Sequence, residues 1–165
     1  MVVYEQVMRV AHEIIAEGFS EKVIQPGITT TNDVVWYFRE RIRELGMTAW
    51  FHPTVDVQRA NPGAGDSNRS FSSRPDAAII QPGDWLHCDF GITYFGLNTD
   101  TQENAYILKA GETRAPDYLI AAHKKGLQTM DFLTNEFKVG RSGNEILASA
   151  LKNGKAAGLK PTIYT

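Results

Sequence analysis

The sequence lacks the features that mark disulfide-rich, membrane-spanning and nucleic-acid-binding proteins. Cys88 is its only cysteine, which excludes a disulfide framework and a cysteine-based zinc site and favours a reducing compartment. No apolar run approaches the roughly 18 residues that cross a bilayer. A net charge of -2 gives no electrostatic basis for binding nucleic acid or an anionic membrane. The start of the chain has no basic region and apolar core of a signal peptide, so a cytoplasmic location is expected.

The chain instead has the composition of one globular domain, with 42% hydrophobic and 22% charged residues. Apolar residues at helical spacing predict an amphipathic helix over residues 2–22 and a second helix that Thr29–Thr31 cap and Gly46 ends. Residues 60–76 are rich in Asn, Pro, Gly and Ser and predict a long loop. Strands are predicted at residues 49–59, 85–93 and 98–108.

The pattern of two helices occurs twice along the chain. The segment 139–142 resembles 26–29, with a spacing of about 113 residues, and each lies between two amphipathic helices. The first repeat, about residues 1–112, continues into several strands, whereas the second, about 113–165, stops as its first strand begins at residues 160–165. We therefore predict an α/β (α+β) fold with one ααβ repeat and the helices of a second. Coincidence is the alternative, because helix pairs separated by glycine are common.

Two aspartates, Asp89 and Asp100, stand eleven positions apart in the two strands of a predicted hairpin. A turn that contains Gly96 and is centred near Tyr94 and Phe95 would place them almost opposite each other. Like charges directly across two strands destabilise a sheet, so a shared cation would explain the pair. Carboxylate oxygens suit Mn, Mg or Ca, and Zn and Co also accept them. The alternative is a solvated carboxylate at a strand end with no ligand.

These motifs in this order resemble the pita-bread metallopeptidases, the group of methionine aminopeptidase, aminopeptidase P, prolidase and creatinase. The resemblance covers about Val3 to Tyr164 and rests on Gln25–Thr29, Gln81–Asp84, Asp89–Gly91 and Asp100. It implies a pseudo-twofold pita-bread fold that binds two divalent ions (Mn, Co or Zn), with Asp89 and Asp100 as metal ligands. The histidine and two glutamates of the family would fall after Thr165, so we expect this chain alone to be inactive.

Several positions depart from the family pattern. Thr101–Glu103 follows the second aspartate, where the family usually has a Thr-Arg pair starting two positions later. Phe71 and Ser72 stand where the peptidases carry a substrate-contacting histidine. His52 is the candidate substrate-binding residue in its place, with a strand-end histidine as the alternative. His87 shares a strand face with Asp89, and we interpret it as a residue packed beside the metal site rather than as a ligand.

The resemblance implies a dinuclear metal-dependent aminopeptidase or dipeptidase that acts on peptides, with Xaa-Pro bonds as the expected substrates. A non-catalytic pita-bread module that binds peptides or a protein partner is one alternative, because the substrate histidine and the Thr-Arg pair are absent. A creatinase-like hydrolase of a small C–N bond is another, although such relatives do not need both aspartates. With half of the sheet missing, we expect marginal stability or self-association, including a homodimer.

Overall fold

The computed structural model describes residues 2–59 and 77–163. The predicted loop at 60–76, with Phe71 and Ser72, lies outside these ranges, as do the last two residues of the strand predicted at 160–165. The chain forms two compact units, Met1–Thr113 and Arg114–Thr165. Among the described residues, no helix is both long enough and apolar enough to cross a membrane.

The first unit contains two helices followed by strands, and the second contains two helices, so the architecture is mixed α/β. The helices of the first unit are α1 (Val2–Gly18) and α2 (Thr31–Glu44). Its strands are β1 (Thr48–Ala49), β2 (Thr54–Gln58), β3 (Trp85–Phe90), β4 (Ile92–Tyr94), β5 (Leu97–Asn98) and β6 (Thr101–Tyr106). The helices of the second unit are α3 (Asp117–Thr134) and α4 (Gly143–Ala156).

The second helix of each unit begins with the same capping device. At the start of α2, the Asp33 N–H donates to the Thr30 hydroxyl at 3.1 Å, and the Asp33 carboxylate accepts from the Thr30 N–H at 2.8 Å. Ser142 and Glu145 form the same reciprocal capping box at the start of α4. Both helices are 14 residues long. The two segments that resemble each other in sequence therefore lead into helices with the same cap and the same length.

The predictions for the end of the first helix and for the strand at 160–165 were wrong. Helix α1 ends at Gly18 rather than at residue 22, because the Ser20 hydroxyl donates to the Glu17 carbonyl at 2.6 Å and the chain turns there. Residues 160–163 form no strand. Pro161 has no N–H to donate to a strand ladder, and its ring packs close to Gly154 of α4.

The strands form two small antiparallel sheets, ordered β2-β3-β6 and β1-β4-β5. Along β3, side chains alternate between the two faces of the sheet. Leu86, Cys88 and Phe90 are fully buried in the core with α1 and α2, and the Phe90 ring meets Phe38 of α2 edge-on at 5.1 Å. The other face carries the polar side chains of β3. The burial of one face therefore decides which side chains the opposite face presents.

An ion pair fastens the turn that leads into β3. Asp84 is 1% exposed and its carboxylate accepts from the Arg59 Nε at 2.7 Å and the Arg59 Nη2 at 3.0 Å. The Gln81 N–H also donates to it at 2.7 Å, and the same guanidinium donates to the Ile79 carbonyl at 2.6 Å. Because these contacts satisfy a buried carboxylate, removal of the arginine would leave that charge uncompensated.

We predict that Arg59→Leu lowers the free energy of unfolding of the first unit by roughly 3 kcal/mol, because it leaves Asp84 charged and buried. Arg43→Leu is the matched control: Arg43 pairs with Glu40 at 2.7 Å on the surface, where solvent screens the pair, so its loss should leave the free energy of unfolding nearly unchanged. Urea unfolding followed by tryptophan fluorescence measures both, since all three tryptophans precede residue 114. Equal shifts for the two variants would contradict the prediction.

Candidate metal centre

One long hairpin carries both aspartates, and a two-residue turn sets its register. Phe95 and Gly96 have φ of 47° and 75°, as a type I′ turn requires of its two central residues. The turn is thus centred one residue later than predicted. Moving the centre by one residue moves each cross-strand partner by two, so Asp89 pairs with Gln102 and not with Asp100.

The prediction that the two aspartates lie almost opposite each other was therefore wrong, but they still share one face. Phe90 pairs with Thr101, and the Thr99 N–H donates to the Ile92 carbonyl at 2.9 Å, so Asp100 lies across from the residue after Phe90. A shift of two residues preserves the side-chain face. Asp89 and Asp100 are diagonal neighbours in the hairpin, and the charge of Asp100 acts on the carboxylate of Asp89.

The surroundings of the Asp89 carboxylate disfavour its charged form. Its Oδ1 is buried and accepts no hydrogen bond from the part of the chain that the structure describes. Burial, and then the nearby charge of Asp100, raise the pKa of Asp89 above its ordinary range. A buried carboxylate oxygen without a donor and beside a second carboxylate is destabilising unless a cation is present. The pair therefore fits a cation site in its donor atoms and in its electrostatics.

Two side chains flank Asp89 on the same face. Gln102 lies directly across from it, and the Gln102 Oε1 is 3.0 Å from the His87 Nε2. This contact places His87 beside the aspartate, in hydrogen-bond contact with a neighbouring side chain. Glu103, at the second position where the family pattern differs, points to the helix side of the sheet and pairs with His12 of α1 at 3.1 Å. The departure at residue 103 therefore does not touch the face with the aspartates.

His52 lies beside the first unit's second helix. It is exposed, and its Nδ1 is 2.8 Å from the Nη1 of Arg39. Because a guanidinium only donates, the Nδ1 of His52 accepts and its ring proton lies on Nε2. A role for His52 in substrate binding stays a prediction.

The two aspartates supply only part of a complete ligand set. Within residues 2–59 and 77–163, no three or more His, Cys, Asp and Glu side chains come together in a group that could hold a metal. Cys88 is excluded by its position in the core, where burial raises the pKa of its thiol to about 12. Asp89 and Asp100 would therefore hold a metal together with ligands from elsewhere.

Sequence reasoning missed one feature near the aspartates, a break in the strand predicted at 49–59. The structure splits it into β1 and β2, with Trp50, Phe51, His52 and Pro53 between them. Pro53 lacks the N–H that a central ladder position needs, and this signal could have located the break. The two aromatic rings next to it meet edge-on at 5.1 Å.

The comparisons with known proteins identify the family. Residues 6–163 match the model of metallopeptidase family M24, so the chain belongs to this family. A comparison with curated proteins found no match.

Solved structures with similar folds come from peptidases. An X-Pro aminopeptidase from Thermotoga maritima aligns over 93% of this chain and 40% of its own, with a TM-score of 0.71 and 17% identity. A Xaa-Pro dipeptidase from Bacillus anthracis aligns over 93% and 39%, with a TM-score of 0.68 and 20% identity. A prolidase from Thermococcus sibiricus aligns over 96% and 41%, with a TM-score of 0.65 and 16% identity. The predicted pita-bread fold class is confirmed, and the chain spans about 40% of the length of these structures.

We predict that Asp89→Asn stabilises the metal-free protein at neutral pH. A carboxyl group whose pKa is raised by folding binds its proton more tightly in the folded state, so its cost is absent at low pH. The cost appears as the pH rises through the ordinary value of 3.8 and then through the raised pKa. The gain in melting temperature should therefore be largest near pH 7 and vanish below the ordinary value. Melts in EDTA at several pH values measure it.

Asp33→Asn is the control, and it should change the melting temperature in the opposite direction. Hydrogen bonds from the Thr30 backbone and hydroxyl lower the pKa of Asp33, so this carboxylate contributes stability above its ordinary pKa and loses it as the pH falls. The variant should melt at a lower temperature than the unmodified chain at pH 7. If Asp89→Asn also lowered the melting temperature at pH 7, the electrostatic account of Asp89 would be wrong.

Proposed function

We propose that this chain forms part of the metal centre of a dinuclear metallopeptidase that removes residues from the N-termini of peptides. The observation that carries the proposal is the pair of aspartates on one sheet face, with Asp89 Oδ1 buried and unbonded among the described residues. Its family supports hydrolysis of peptides. Xaa-Pro bonds are the proposed substrates, because the solved structures with this fold are named X-Pro aminopeptidase, Xaa-Pro dipeptidase and prolidase.

In this proposal Asp89 and Asp100 hold two divalent ions, with Mn, Co or Zn as the candidates. Such ions supply Lewis-acid polarisation of a carbonyl group and a hydroxide nucleophile at neutral pH. The protein's own contribution is to hold the two carboxylates on a sheet whose other face is fixed in the core. Gln102 lies directly across from Asp89, and its Oε1 is held 3.0 Å from the Nε2 of His87.

The proposal includes a limit on the chain itself. Two carboxylates leave most of the coordination of each ion to water, so we expect weak metal affinity and no peptidase activity from these 165 residues alone. The rest of the ligand set would come from another part of the protein. A peptide is the expected partner, and self-association as a homodimer remains part of the proposal.

A non-catalytic peptide-binding module is the competing proposal. The absent substrate histidine and the altered residues after Asp100 favour it. The second argument is weakened by Glu103, since this side chain contacts His12 on the helix side of the sheet. The metal content of the protein with its full ligand set separates the two. Two ions per molecule favour the peptidase, whereas an empty centre favours the module.

We predict that Asp89→Asn and Asp100→Asn each lower Mn²⁺ affinity and hydrolysis of a Xaa-Pro peptide at least about 100-fold in the protein that supplies the remaining ligands. Glu40→Gln, which removes the charge of an exposed carboxylate on α2, is the charge-matched control and should retain Mn²⁺ binding. Manganese titration by electron paramagnetic resonance and a peptide-release assay measure the two effects. Peptidase activity that survives either substitution, or that the 165-residue chain shows alone, would contradict the proposal.

A further inference from the structure

The segment 50–53 forms a bulge beside the two aspartates. Strand β1 ends across from Ile92, and β2 begins across from Asp89. Four residues therefore stand opposite only two, Phe90 and Gly91. Extra residues in one strand turn side chains away from their regular direction, and such bulges are frequent next to functional sites. The bulge changes which side chains reach the face with the aspartates.

The indole of Trp50 packs on the backbone of Gly91. The backbone N–H of Trp50 donates to the Gly91 carbonyl at 3.4 Å, and a Cβ placed on Gly91 would overlap both the indole of Trp50 and the ring of Phe51. Side chains alternate along β3, and Asp89 is two residues before Gly91, so that Cβ would point to the face of the Asp89 carboxylate. The indole therefore lies on the same face as the aspartates.

The indole also lies close to Asp100. Gly91 and Asp100 face each other across the hairpin, because Phe90 pairs with Thr101 in the same register. Neighbouring strands are about 4.8 Å apart, so Asp100 projects from the strand position next to the residue on which the ring packs. The aromatic pair thus borders the space in which a bound peptide would meet the metal ligands.

The Trp50 ring combines firm support with an open surface. One side of the ring packs on the backbone of Gly91, and the Phe51 ring meets it edge-on at 5.1 Å with an interplanar angle of 75°. Even so, Trp50 is 47% exposed. A supported aromatic ring with a free face loses little conformational entropy when it contacts an apolar group. Its chemistry fits an aliphatic side chain or the ring of proline.

We propose that Trp50 determines substrate specificity by contacting the apolar side chain that flanks the scissile bond of a peptide held at Asp89 and Asp100. This inference rests on the proposed function, and it names the part of the peptide that the site would select. Gly91 acts as a positioning residue, since any larger side chain would displace the indole.

The test compares peptide affinities in the protein that combines this chain with the remaining metal ligands. Isothermal titration calorimetry with Leu-Pro-Ala, Ala-Pro-Ala and Ala-Ala-Ala measures how much each flanking apolar side chain contributes. Trp50→Ala should reduce the preference for the larger side chain about tenfold, because burial of a few methylene groups contributes this much. Trp50→Phe should retain most of the preference. Mn²⁺ affinity should stay within about twofold, because Trp50 contributes no ligand atom.

Two further variants make the result specific. Trp36→Ala is the matched control: Trp36 is 56% exposed on α2 and stacks with Arg39 at 5.0 Å, so its loss should leave the preference unchanged. Gly91→Ala should reduce the preference as Trp50→Ala does, since it moves the indole without removing it. This variant decides the question even if Trp50→Ala does not fold.

The outcomes separate this inference from the proposed function. An unchanged preference in Trp50→Ala or Gly91→Ala, or equal losses for all three peptides, would overturn the role of Trp50. A protein that binds the peptides with the expected preference but does not hydrolyse them would contradict the peptidase and support the role of Trp50. Absence of peptide binding in the unmodified protein would contradict both.

Discussion

The register of one hairpin is the constraint on which the candidate site depends. Phe95 and Gly96 both adopt positive φ, and the turn they form pairs β3 with β6. Every side chain of β3 is assigned to a face by that pairing and by the burial of Phe90 against Phe38. A slip of one residue would send the carboxylates into the core and the apolar side chains out. Burial of the apolar residues of β3 thus fixes the face to which its polar side chains point.

The same hairpin carries a carboxylate whose surroundings lower the stability of the metal-free fold. Asp89 has a buried oxygen with no donor in the described part of the chain, and a second carboxylate raises its pKa further. Elsewhere the chain compensates its buried charge fully, as Asp84 shows with its arginine and backbone donors. The contrast between two aspartates only five positions apart is informative, because one belongs to the fold and the other fits a ligand.

The sequence contained enough information for the helices, their caps and the face of the aspartates. Thr30 and Ser142 are strong capping residues, and period-two alternation along β3 is a local property that needs no tertiary knowledge. The turn centre was harder, because Phe95 in a left-handed conformation runs against its intrinsic preference. The bulge at 50–53 was harder still. Pro53 signals a break in the strand, but the packing of the Trp50 indole on Gly91, 41 positions away, is a tertiary contact that periodicity cannot reveal.

The position of Cys88 has a practical consequence. The thiol is fully buried among the core residues of the first unit, and its raised pKa leaves almost no thiolate at neutral pH. Reaction with an alkylating reagent therefore requires the sheet to separate from its helices. As the chain has no second cysteine, the labelling rate would count openings of this core alone. Alkylation of Cys88 therefore reports local opening of the unit that presents the aspartates.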